Sequence, residues 1–262
     1  MVLRALWNSK SAMAAQQEKL DMISNNIANV GTSGYKREEV SFQDLVYEQI
    51  ERQGYPTSTD ARTALINGSG VKVSSALRDN TQGSLLNTGS NTDIAIDGPG
   101  YFRVSKPDGS TAYLRSGTFN IDSLGRLTDK NGNLLEIEYT DQGKAINASG
   151  GLSSDNFTLD KSGIITVKQG TDIVNYGKID IYNVTGTDSL IAAGNNLYVP
   201  KAGAAVYQET GSNLLQGFQE NSNVDIAKEM VDMIVAQRSF DLSSKGITTA
   251  DEMWSLINNM KK

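Results

Sequence analysis

The chain has 262 residues, 38% hydrophobic and 21% charged, with a net charge of −6: a folded protein long enough for one large domain or two modest ones. It has no cysteine and no histidine, which excludes thiolate zinc sites, cysteine nucleophiles and every histidine-dependent triad. The acidic balance, with no Lys/Arg run longer than two, leaves no nucleic-acid footprint, and no apolar run approaches the roughly 18 residues of a membrane span.

From Val2 to about Ala28 there is neither Pro nor Gly, and the spacing predicts one helix. Leu6, Met13, Leu20 and Ile27 fall seven residues apart, with Val2, Ile23 and Val30 on an offset track. That alternation keeps one stripe turned toward a partner helix, as in a coiled-coil seam. Asn29-Val30-Gly31-Thr32-Ser33-Gly34 ends the helix with small polar residues and two glycines. Tyr35 to Arg52 is mixed, with short-range helical spacing at Phe42, Leu45, Val46 and Ile50, and Gly54 to Asp60 reads as irregular. No h-region precedes any of this, so a cleaved Sec-type signal is not expected.

From about Gly70 to Gly217 the period is two, punctuated by Gly, Asn and Asp. Strands are expected at Val71–Val73, Asp93–Gly98, Gly100–Val104, Ala112–Arg115, Leu134–Tyr139, Ile164–Lys168, Lys178–Tyr182 and Asn196–Val199. Asp108-Gly109 and Asn131-Gly132 are hairpin signals. Turns recur every 8–12 residues or so, as in an antiparallel sandwich or partly open barrel, and no helix-length pattern interrupts them. Helical periodicity resumes near Val224, with Asn221, Ser222 and Asn223 as candidate caps. Ile226, Met233, Phe240, Ile247 and Trp254 repeat at intervals of seven, Ala236, Ala250 and Ile257 fill much of the offset track, and Gly246 is the weak point of that helix.

The expected class is therefore α+β. Terminal helices spanning 1–30 and 224–262 pair as a coiled coil, and a mainly antiparallel β domain at 70–217 is inserted between them. Residues 31–69 form an extended connection and 218–223 a linker. Polar gaps in the seams at Ser9, Gln16 and Ser243 make the terminal helices marginal alone, so they are expected to order on assembly.

Catalytic and metal readings find little support. The carboxylates Asp93, Asp97, Asp108, Asp122, Asp129, Glu136 and Glu138 mostly precede glycine within a few residues, where Asp favours turns rather than a glycosidase pair. Asp129 to Asn133 lacks calcium-loop spacing, and Gly98-Pro99-Gly100 has no Lys-Ser/Thr and no following helix. No cofactor is implied.

Ser24 to Arg37, containing Asn25, Asn26, Ala28 and Asn29 and then Gly34, Tyr35 and Lys36, resembles the N-terminal signature of bacterial flagellar rod and hook proteins. Phe42-x-Asp44-Leu45, Ala95 to Phe102, Arg115 to Leu127, and Ser222 to Phe240 are similar to further blocks of that family. The opening Leu6-Trp7 and the extra segment at roughly 47–67 look most like its distal-rod members. The resemblance implies no enzyme but an axial subunit, which polymerises helically into the distal rod and passes motor torque through the envelope to the hook. It implies export without a cleaved signal and residence in the basal body. The implied partners are itself, other rod and hook subunits, the export apparatus and envelope ring proteins, with no nucleic acid and no membrane insertion. The implied assembly residues are the seam side chains Leu6, Met13, Leu20, Ile23, Ile27, Ile226, Met233, Phe240, Ile247 and Trp254. Two alternatives stay open: a proximal-rod or hook-type subunit, and a secreted β-sandwich enzyme or glycan-binding module on a coiled-coil oligomeriser.

Overall fold

The computed structural model describes residues 2–45, 47–49, 66–148, 151–153, 156–169, 172–186 and 189–260. The chain divides into two compact units. One comprises residues 1–27, 38–77 and 225–262, and the other residues 28–37 and 78–224.

The first unit is built on two long helices, α1 (Val2–Ala28) at the start of the chain and a second of 35 residues, Ile226–Met260. The latter is called α3 below, after the short α2 (Asp141–Ala148) of the other unit. The helices run antiparallel and in step. Asn26 hydrogen-bonds Glu229 at 3.2 Å, and Ser9 lies so close to Gly246 that an added Cβ would come within 2.8 Å of its Oγ. Between these two contacts each helix advances by the same 17 residues, about 25 Å of axis. Gly246 thus gives up helix propensity for close approach. The strand Glu38–Asp44 pairs with Val71–Arg78, and Tyr47–Gln49 pairs antiparallel with Ile66–Gly68. Most of the 47–67 segment singled out in the sequence, residues 50–65, lies outside the described residues.

α3 is capped by Asp225, whose carboxylate accepts from the Ala227 and Lys228 amides at 2.9 and 3.3 Å. The expected caps do other work. Asn223 accepts from the Arg37 amide at 2.7 Å and donates to the Asp79 and Thr81 carbonyls.

The second unit holds a nine-stranded antiparallel sheet among the described residues. Its centre is the hairpin Tyr101–Ser105/Thr111–Leu114. A four-stranded sheet comprises Glu138–Tyr139, Asp172–Lys178, Ile164–Gln169 and Phe157–Leu159 in that order. Alternation places Phe102, Val104, Ala112 and Leu114 in the main core with Phe119, Phe157, Ile165 and Tyr176. The other face of the hairpin carries Tyr101 and Tyr113 into a second cluster with Val184, Leu190 and Tyr198. Four turns share one geometry: Gly109, Gly125, Gly132 and Gly163 all have φ between 73 and 88°, and each amide donates to the carbonyl three residues earlier.

One helix interrupts this β region against expectation. Thr140 accepts from the Gly143 amide at 3.2 Å, and an added Cβ on Gly143 would fall 1.7 Å from the Tyr176 carbonyl oxygen. Its eight residues are too short for periodicity to show, and only the adjacent strand makes them helical.

Candidate assembly site

In the helical unit the buried positions of α3 are Glu229, Ala236 and Ala250, with half-buried Ser243 completing a seven-residue track. On α1 they are Ala15, Ile23 and Asn26. The interval is the one read in the sequence, but the inward track of α3 carries small or polar residues three positions beyond the bulky series. Of that series, Met233, Phe240 and Ile247 are half-buried, and Ile226 and Trp254 are exposed. Leu6, Met13, Leu20 and Ile27 are half-buried, and Ile23 is buried. Close approach through alanine, serine and glycine turns the larger apolar side chains outward. Met230, Val231, Ile234, Val235, Leu242, Leu256 and Ile257 are each more than half exposed, a long apolar face of the kind that marks an interaction surface.

The Asn-Asn-x-Ala-Asn…Gly-Tyr-Lys motif divides its labour between the units. Asn26 is 1% exposed; it donates to the Glu38 carbonyl and to Glu229, and accepts from the Glu38 amide. Asn25 and Ala28 are exposed. Asn29 accepts from the Thr32 hydroxyl, and Tyr35 donates its amide to the Thr32 carbonyl, closing the turn after the helix. Gly34 has φ +67°, and an added Cβ would lie 2.6 Å from the Ser116 amide nitrogen, so no other residue fits there. Its amide donates to the Glu220 carbonyl at 2.9 Å.

Lys36 and Glu220 then form the main polar feature of the β unit. Lys36 Nζ lies 2.7 Å from Glu220 Oε1, and Arg115 Nε lies 2.6 Å from Oε2. All three side chains are at most 3% exposed. The Gly83 amide also donates to Glu220, and the surplus positive charge is met by carbonyls: Thr81 by Lys36, and Ile96, Gly98 and Gly100 by Arg115. Burial pushes the Lys36 ammonium below its ordinary pKa, although Glu220 pulls the other way. The cluster ties together the segment after α1, the main hairpin and the strand Phe218–Glu220. Sequence reasoning assigned no role to Arg115, Glu220 or Glu229. An acidic residue on a track otherwise spaced for burial (229, 236, 243, 250) was the available signal for the last of these.

Three of the seven carboxylates weighed as catalysts are engaged in turns, and Glu136 pairs with Arg103. Asp108 accepts from the Ser110 amide and hydroxyl, Asp122 from Ser123 and Arg126, and Asp129 from Asn131 and Asn133. These bonds hold the Asp108 and Asp122 carboxyls below their ordinary pKa.

Three family models match the chain. They are the flagella basal body rod protein model over residues 6–36, the flagellar hook protein FlgE/F/G D1 domain over 95–167, and the C-terminal domain of the flagellar basal body rod FlgEFG proteins over 215–260. Full-length similarity decides the matter. The flagellar basal-body rod protein FlgG of Borreliella burgdorferi is 37% identical with all of both chains covered, and that of Caulobacter vibrioides is 37% identical over 99% of this chain and all of its own. The chain belongs to the flagellar basal-body rod protein family. Bacillus subtilis FlgG is 35% identical over both full lengths, and the hook-basal body complex protein FlhP of the same organism is 29% identical. The family is structural, not enzymatic, and its place is the flagellar basal body. No described helix of this rod-family chain is long and apolar enough to cross a membrane.

Proposed function

We propose that the chain is a distal-rod subunit that polymerises helically and carries motor torque through the cell envelope to the hook. The observation that carries this reading is the apolar face of α3, which a lone subunit leaves in water. The full-length likeness to FlgG rod proteins supports it. In this reading the terminal helices pair as a coiled coil, order fully only in the polymer and form its shaft. The half-buried Leu20 and Ile247 belong to the seam, so Leu20→Asp or Ile247→Asp places a charge there and abolishes assembly. Residues 47–67 bridge neighbouring subunits and stiffen the tube. The subunit leaves through the flagellar export apparatus and contacts other rod and hook subunits and envelope ring proteins.

Electron microscopy of basal bodies from a strain lacking the gene tests this. Basal bodies that stop at a short rod, without hook or filament, are expected. A complete rod lacking only the hook would reassign the subunit to the hook, and intact flagella would overturn the reading.

A further inference from the structure

In the helical unit α1 and the paired strands Glu38–Asp44 and Val71–Arg78 leave a groove of about 430 Å³. Met22, Val40 and Val73 give it apolar walls, and Glu18, Asp21 and Glu38 line it with carboxylates; no basic side chain is among its described lining residues. The opening turns of α1 have the complementary chemistry. Trp7 is 64% exposed, Lys10 lies over its ring at 5.4 Å, and Arg4 is one turn away. Arg4 and Lys10 are the only charged side chains among the first 17 residues.

We infer that Trp7 of one copy, flanked by Arg4 and Lys10, seats in the groove of a second copy. The inference rests on the polymerising reading above and names one of its contacts. A tryptophan between two cations is the kind of side chain that anchors interfaces, and Met22 in the groove wall suits an aromatic ring. The acidic lining supplies the charge match. Knob and groove occupy different stretches of α1, about 22 Å apart along the axis between residues 7 and 22. A subunit can therefore offer its knob to one neighbour and its groove to another, and a contact between unlike patches that does not close propagates as an open helical assembly.

The chain has no cysteine, so introduced thiols report without background. Cells co-expressing Lys10→Cys and Asp21→Cys chains are made, their basal bodies are isolated, and the thiols are joined with a short bis-maleimide. A dimer that needs both variants is expected, and a ladder is expected when one chain carries both substitutions. Rods visible on micrographs without any interchain product would overturn this contact and leave the rod reading standing. A double variant that stops at the dimer would mean a closed pair and overturn it also. Cross-linking of Asp21→Cys to Met260→Cys in place of Lys10→Cys would give the groove to the exposed end of α3. If the cysteine variants do not enter the rod, charge exchange decides. Arg4→Glu with Lys10→Glu should abolish swarming, and adding Glu18→Lys with Asp21→Lys should restore it. These positions are too far apart on one helix to pair within a chain, so failure of the exchange overturns the proposal.

Discussion

Removing Glu220 and removing Lys36 break the same buried hydrogen bond, but they should not cost the same. The cluster holds two cations and one anion, all at most 3% exposed. Glu220→Gln keeps the shape and leaves Lys36 and Arg115 facing a neutral amide, with their mutual repulsion uncompensated. Breaking a buried pair this way costs about 3–5 kcal/mol, a large part of the roughly 5–15 kcal/mol that holds a domain together. Lys36→Met instead removes the cation whose charged form burial already disfavours. It leaves Arg115 and Glu220 as a balanced pair, with the Gly83 amide still donating to Glu220 and Asn223 still donating to the Thr81 carbonyl. About 1.5–3 kcal/mol is expected, the range for a hydrogen bond to a charged group. Urea unfolding of the dilute, sedimentation-verified monomer, followed by tyrosine near-ultraviolet dichroism, measures both. With a slope of about 2 kcal/mol/M, the Glu220→Gln midpoint should fall by about 1.5–2.5 M and that of Lys36→Met by about half as much. Equal losses, or a larger loss for Lys36→Met, would refute the charge-balance argument.

Asn26→Asp sets a second carboxylate against the fully buried Glu229, 3.2 Å from the present amide nitrogen. Helical content by circular dichroism should then melt earlier at pH 7 than at pH 4, where protonation relieves the repulsion; identical curves would contradict the placement. Gly117→Ala should cost about 4 kcal/mol or more, because the new Cβ would lie 1.6 Å from the Ile94 carbonyl oxygen. Gly31→Ala, with nothing within 4 Å, is its near-neutral control, and equal urea midpoints for the two would count against the fold around Ile94. Burial holds Tyr101, Tyr113, Tyr176 and Tyr182 above their ordinary pKa of 10.0. Above pH 10 the unfolded chain therefore binds fewer protons than the folded one, and stability falls as pH rises. Each such tyrosine contributes up to about 1.4 kcal/mol per pH unit. Tyr176→Phe gives up a 3.3 Å bond to Asn147 at every pH, but its loss of stability between pH 9 and pH 11 should be shallower than that of the wild type; parallel curves would refute the shift.

Sequence alone carried the helix–β–helix order, because a 27-residue run without Pro or Gly has few other ways to satisfy its backbone. It also carried the turns at Asp108-Gly109 and Asn131-Gly132, where glycine's freedom at positive φ is a local property. The seven-residue interval of α3 was legible too. The sequence placed Ala236, Ser243 and Ala250 in the seam beside the bulky series but did not show which of the two tracks lies deepest, since small residues look unpromising beside Met233 and Phe240. That choice is made by the partner helix: Ser9 meets Gly246 and Asn26 meets Glu229, and neither pairing has any signal along the chain. The same holds for Lys36, Arg115 and Glu220, which stand 79 and 105 residues apart. Their meeting depends on tertiary structure, because a charge is worth burying only where folding has already brought its partners to it.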